Sequence, residues 1–227
     1  EDNRTYNNKT YEYTHGFGAI VSSATSVSET GAADYIQTGF QDNNQAITIT
    51  EPRIYFGLET NNTVVTNSKN KAEFDYPILT SNTAENAENT YQGEAGLTLN
   101  FVDRLILAIK EGDLNLALSS NVTNDSKILT NRNIIERAKK VMPYLIYDEN
   151  PYLVVNNEGK LIWVLDAYTT TNYYPYSQKS DIEVNGVKQE INYIRNSVKV
   201  LIDAYNGTIE FYITDRTDPI VMAYNNI

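Results

Sequence analysis

The sequence predicts an α+β fold, with antiparallel β-hairpins and meanders at both ends of the chain and a helical segment in the middle. Three observations carry this. Between Tyr152 and Thr214 two alternating runs end in the same words, Leu165-Asp166-Ala167-Tyr168 and Ile202-Asp203-Ala204-Tyr205, each beside a turn signal. From Leu97 to about residue 145, apolar residues instead recur at helical spacing. The 227 residues are enough to bury a core, and with no cysteine none of it is stapled. The chain thus reads as one α+β domain over residues 1–227, with a helical insertion at about 97–145 and a C-terminal β-meander at about 150–215.

In chain order, Glu1 to Thr10 is polar and expected to be frayed or extended. Tyr11 to Val21 reads as a strand, or a loop leading into one, with Thr14-His15-Gly16-Phe17-Gly18 at its centre. Ser22 to Gly31 is small and polar, a loop by composition, and Asp34 to Phe40 a short extended piece before a turn at Gln41 to Gln45. Ala46 to Thr50 alternates, and Arg53-Ile54-Tyr55-Phe56 restarts after Pro52, where an edge strand tolerates proline. The turn residues Thr60-Asn61-Asn62-Thr63 and the returning Val64-Val65-Thr66 suggest a hairpin with that strand. Phe74-Asp75-Tyr76-Pro77 is extended, because a residue before proline is pushed out of the α region. Ser81 to Gly93, rich in Asn, Glu and Thr, reads as a surface loop. Phe101, Leu105, Ala108 and Ile109 then form the inward stripe of a helix, capped by Thr98 or Asn100 and ended by Gly112. Asp113 can cap a second short helix, although Leu114, Leu116 and Leu118 alternate as a strand would. Thr130 or Asn131 opens a third, with Ile134, Ile135, Ala138 and Val141 inward and Pro143 as its stop.

The C-terminal hairpins place acids on one face. Asn206-Gly207 suits a type I′ turn, which sets Ala204 opposite Ile209, Ile202 opposite Phe211 and Asp203 opposite Glu210. Like charges across a ladder repel, so an Arg, a Lys or a cation should sit beside them. If Ala167 points the way Ala204 does, Asp166 joins the same face. Asp166, Asp203 and Glu210 are therefore the candidate metal ligands, with Ca²⁺ the cation their oxygens suit. The same three acids are the only basis for a second reading, a carboxylate-based hydrolase.

Composition excludes several classes. A net charge of −11 argues against nucleic acid and against direct adsorption to anionic lipid. The absence of cysteine removes thiol nucleophiles and Cys-based zinc sites. The longest helical apolar run, Leu105 to Ile109, is far short of the ~20 residues of a membrane span. His15, the single histidine, is placed to act as a base or to line a ligand site, but no partner is pinned to it and no catalytic residue is assigned.

The words Tyr13-Thr14-His15-Gly16-Phe17-Gly18, Pro52-Arg53-Ile54-Tyr55-Phe56-Gly57, Phe74-Asp75-Tyr76-Pro77, Gly112-Asp113-Leu114-Asn115, Tyr174-Pro175-Tyr176-Ser177 and Asn192-Tyr193-Ile194-Arg195-Asn196-Ser197-Val198-Lys199 run in one order along nearly the whole chain. Together they resemble uncharacterised protein family 0182. Leu58 departs from the family's usual word, in which Glu follows Gly57. The resemblance implies a piece of a large bacterial integral membrane protein, lying outside the cytoplasm and attached to a transmembrane domain beyond this sequence. It implies no catalytic residue or cofactor. Within that frame the expected function is non-catalytic: ligand binding, sensing or contact with an envelope saccharide, peptide or protein. The candidate surface is the loop after the Leu161 to Tyr168 strand, where Tyr168, Thr169, Tyr173, Tyr174 and Tyr176 offer stiff aromatic area with polar tips. His15 and Arg195 are counted with them.

Overall fold

The computed structural model describes residues 5–38, 47–79, 84–184 and 187–226. It is mixed α and β, with antiparallel sheets and a few helices. A π-helical turn, Asn8–Glu12, buries Thr10 and Tyr11, so the described part of the opening polar segment, residues 5–10, is neither frayed nor extended, and residues 1–4 lie outside the described residues. Then come β1 (Gly16–Phe17), β2 (Val21–Val27) and β3 (Ala33–Gln37); β2 pairs with β3, so the small polar run taken as a loop is mostly strand. The Gln41 to Gln45 turn lies outside the described residues, and Ile47 to Thr50 carries no strand.

The hairpin expected around Thr60–Thr63 does not form. β4 (Arg53–Ile54) pairs with β1, whereas β5 (Val64–Thr66) pairs with a strand far along the chain. Thr60 Oγ1 explains the chain's path here: it receives the Gly57 N–H at 2.9 Å and donates to the Arg132 carbonyl, which ties the turn to another element. β6 (Glu73–Leu79) contains the extended Phe74-Asp75-Tyr76-Pro77 and pairs with β7 (Ala84–Asn89), so part of the Asn/Glu-rich stretch is strand.

α1 and α2 appear beside the caps expected for them. α1 (Phe101–Glu111) begins at Asn100, whose side chain accepts from Asp103 N, and ends at Gly112 with φ 72°. α2 (Asn115–Leu118) resolves the Leu114–Leu118 ambiguity as helix, with Asp113 Oδ1 receiving the Asn115 N–H. β8 (Lys127–Leu129) is the partner of β5. α3 (Ile134–Val141) starts two to three residues later than expected, because Asn133 rather than Thr130 or Asn131 caps the Ile135 and Glu136 N–H groups.

β9 (Ile146–Tyr147), β10 (Tyr152–Val155), β11 (Leu161–Thr171), β12 (Ser180–Val184), β13 (Val187–Ile191), β14 (Tyr193–Asp203) and β15 (Ile209–Ile213) follow, then α4 (Pro219–Tyr224). β10, β11, β14 and β15 form a sheet in that order, and β9 also pairs with β11. A bulge at Ser197 re-aims β14 against β11.

The last hairpin keeps the expected faces but not the expected register. Ile202 sits opposite Ile209 and Leu201 opposite Glu210, a slip of two residues. The physical reason is Asp203. Its Oδ1 accepts the Tyr205 and Asn206 N–H groups at 2.8 Å each, and only Gly207 in the loop has positive φ, 64°. This Asx-capped loop replaces the type I′ turn, which needs positive φ at both central residues. A slip of two preserves sidedness, so Val200 and Ile202 remain buried.

Two cores result. The larger is built on the inner face of the five-stranded sheet, with Tyr55, Phe56, Ile134, Ala138 and Val221 against Leu165, Val200 and Ile202. The smaller gathers Tyr11, Leu107, Ala108, Leu116 and Ala117. The β5–β8 ladder stands between them: Val64 and Leu129 point into the first, Val65 and Ile128 into the second.

Candidate functional site

Two polar assemblies stand out, one exposed and one buried. The exposed one is the loop that leaves β11. Asn192 holds it closed: its Oδ1 receives the Tyr174 N–H at 2.9 Å, while Nδ2 donates to the Tyr174 carbonyl at 2.7 Å and to that of Ser177 at 3.3 Å. Ser177 Oγ returns a bond to the Asn192 carbonyl. On this fixed turn Tyr173 is 88 % exposed and Tyr176, at φ 61°, fully exposed. Tyr174 stacks on Tyr193, ring centroids 5.0 Å apart and planes 20° apart. Arg195 lies 5.7 Å from the Tyr193 centroid and pairs with Asp215 at 3.2 Å. Tyr174 and Arg195 thus meet through Tyr193.

Tyr168 and Thr169 do not join that surface. Tyr168 donates to Asp148 at 3.1 Å, and Thr169 is fully buried, donating to Asp218. Asp218 is the anchor beneath the loop. Its carboxylate also receives Ser197 Oγ at 2.5 Å, Tyr193 Oη at 2.8 Å and the Ile220 N–H at 2.9 Å, so it caps α4 as well. Burial alone would raise its pKa, but these donors outweigh it and hold the carboxyl below its ordinary value. Burial and the bond to Asp218 push the Tyr193 phenol up to about 12. Tyr193, Asp218 and Asn192 carried no role in the sequence reading, although Asp218-Pro219 is an N-cap and N1 pair that marks a helix start.

The buried assembly contains His15. Its side chain is fully enclosed, Nδ1 lies 3.1 Å from the Gly16 carbonyl, and Nε2 is 3.8 Å from Asp75 without a hydrogen bond. A carbonyl only accepts, so Nδ1 carries the proton. Burial dominates the ring's electrostatics and lowers its pKa despite the nearby Asp75 and Glu73, which keeps it neutral at pH 7. The ring packs on Tyr55 at 4.8 Å. Arg53 grips Asp75 through two bonds of 3.0 and 2.7 Å and reaches Glu51 at 3.0 Å. Glu73, 1 % exposed, receives Thr14 Oγ1 at 2.6 Å and Tyr55 Oη at 2.8 Å. Arg132 closes the assembly by donating to the carbonyls of Tyr55, Asn62 and Thr14. Burial draws its pKa down to about 10, so it stays charged at neutrality. None of His15's partners belongs to the tyrosine loop. The sequence signal for this centre was the repeated acid at alternate positions of one strand, Glu73 and Asp75, which puts both on one face.

The three acids of the C-terminal hairpins are dispersed. Asp166 receives Lys199 Nζ and, at 3.2 Å, Asn196 Nδ2; Asp203 caps its loop; Glu210 accepts from Tyr212 Oη at 2.5 Å. Asp203 and Glu210 border a hollow of about 330 Å³ floored by Val154, Ile162 and Leu201, but neither His15 nor Asp166 lines it. No group of three potential metal-ligating side chains occurs among the described residues.

A family model described as Uncharacterised protein family (UPF0182) matches residues 1–227. A UPF0182 protein of Clostridium botulinum (strain Hall) is 48 % identical over 224 residues, 98 % of this chain and 24 % of the relative. One of Clostridium novyi (strain NT) is 45 % identical over 228 residues, covering 100 % of this chain and 24 % of the relative. A third, from Clostridium tetani, is 48 % identical with the same coverage as the first. The chain therefore spans about a quarter of the length of the curated relatives it matches. No solved structure matches it.

Proposed function

The chain belongs to Uncharacterised protein family (UPF0182), and on that premise we propose that it is a non-catalytic binding module of a longer bacterial membrane protein, carried outside the cytoplasm. Its ligand is a polar one with flat or ring-shaped apolar faces: an envelope saccharide, a peptide or a protein surface. One observation carries the reading. Tyr173 and Tyr176 stand almost fully in water on a turn that Asn192 fixes through both its side-chain oxygen and its side-chain nitrogen. A mobile loop would lose entropy on binding; this one is ordered beforehand, so its aromatic area converts more fully into affinity. The tyrosine tips add hydrogen bonds at the rim. No described helix is long and apolar enough to cross a membrane.

The test is a binding screen of the protein against cell-wall saccharides and peptides, repeated with the Tyr173→Ala/Tyr176→Ala double variant. Truncating an aromatic hot spot costs about 2 kcal/mol or more, so the variant should bind at least about thirtyfold more weakly while melting at an unchanged temperature. Binding that survives in the double variant, or no binding by any probe, removes this reading.

A further inference from the structure

We propose that the outward face of α1 is a docking surface for an apolar helix supplied by another part of the same, longer polypeptide. Phe101, Val102, Leu105, Ile106 and Ile109 are 58, 62, 37, 61 and 66 % exposed. They occupy positions i, i+1, i+4, i+5 and i+8, which is one continuous stripe on one side of the helix. The other side is already used. Leu107 and Ala108 enter the smaller core, and Arg104 donates to the carbonyls of Ala117 at 3.0 Å and Val122 at 2.8 Å. α1 is thus apolar on both sides, and its inner packing leaves an uncharged face in water. At the two ends of α2, Leu114 just before it and Leu118 as its last residue are 57 and 73 % exposed.

Isolated exposed leucines need no explanation, but a contiguous apolar stripe marks an interaction surface. Its spacing of four with neighbours at one and five forms ridges and grooves that a second helix fits. The occupant follows from length. The curated relatives align with nearly all of this chain over only 24 % of their own length, so about three-quarters of such a polypeptide lies outside it and is tethered at high effective concentration. A second copy is the poorer occupant, since each brings a net charge of −11. The proposal does not use the tyrosine loop.

The experiment places single cysteines in the full-length protein, with any cysteine outside these 227 residues replaced by serine, and follows maleimide labelling. An Ile106→Cys variant should react at least about tenfold more slowly than Glu183→Cys, an exposed reference, and the two should react alike once the protein is denatured. Adding Ile106→Glu to a Val102→Cys protein should open the contact and raise its labelling by about tenfold. Ile106→Cys labelling as fast as the reference in the native protein overturns the proposal. So does protection lost on dilution, which means a second copy, or protection lost when lipid is replaced by detergent, which means a bilayer. Val102→Cys labelling unmoved by Ile106→Glu overturns it as well.

Discussion

At the scale of single residues, the buried groups set what the protein tolerates. Arg132 offers a planar fork to three carbonyls, those of Thr14, Tyr55 and Asn62, and is 5 % exposed. A lysine brings charge but not the fork, so Arg132→Lys should cost about 2–3 kcal/mol in a urea titration, with an unchanged slope. A loss of less than half that free energy would mean that the carbonyls find other donors. His15 makes a different prediction. Its folded-state pKa is depressed, so below the ordinary value of about 6.5 the unfolded chain takes a proton that the folded chain resists. The stability it contributes is complete above that value and is lost as pH falls toward the folded-state value. Asp218, also depressed, contributes in the same sense but in a window beginning near 3.8. Between pH 7 and 5 the histidine therefore dominates, and His15→Gln should flatten the fall of melting temperature in that interval. An identical pH profile in the variant would assign the fall to another group. The exposed tyrosines of the loop were legible in the sequence, since Pro175 and three nearby aromatics announce themselves locally. The histidine's enclosure was not, because the groups around it come from β1, β4 and β6, which no short-range pattern joins.

At the scale of elements, local chemistry decided what was legible. Caps and breakers are local, so α1 was placed between Asn100 and Gly112 as it occurs; but which apolar stripe of α1 turns inward depends on the rest of the molecule, and the stripe Phe101, Leu105, Ile109 turned outward. Turn residues likewise announce a reversal without naming the partner strand, which is why Thr60–Thr63 looked like a hairpin between strands that in fact pair elsewhere. The last hairpin shows how one side chain resets a register. Asp203 caps its own loop, and Gly207 then takes φ 64° with its α-carbon against the Phe56 ring, where an added Cβ would come within 2.7 Å. Gly207→Ala should therefore cost about 2–4 kcal/mol, strain plus overpacking. Gly31 has φ 79° but nothing within 4 Å of an added Cβ, so Gly31→Ala should cost only the strain, about 1 kcal/mol. Equal losses in parallel chemical denaturation would show that the Phe56 contact is not what holds this loop.

At the scale of the whole molecule, the question is whether two cores behave as one. The β5–β8 ladder alternates its side chains between them, so that neither core can dissolve without stripping one face of a strand pair whose other face the second core needs. Arg132 joins three further segments to one another, since its three carbonyls come from the segment before β1, from β4's continuation and from the turn before β5. Unfolding should then be a single transition. Trp163, the one tryptophan, makes the point measurable: it packs against the larger core and donates to the Phe56 carbonyl at 3.0 Å, whereas Leu116 belongs to the smaller core. Leu116→Ala leaves a cavity at a 1 % exposed site and should cost about 2–5 kcal/mol. If the cores are coupled, tryptophan fluorescence and far-ultraviolet circular dichroism will move together to the same lower midpoint, even though the substitution never touches the sheet that holds Trp163. If the fluorescence midpoint stays in place while the dichroism splits into two steps, the smaller core with α1 and α2 is a separate unit. In that case its stability in the full-length protein would depend on whatever covers the outward face of α1.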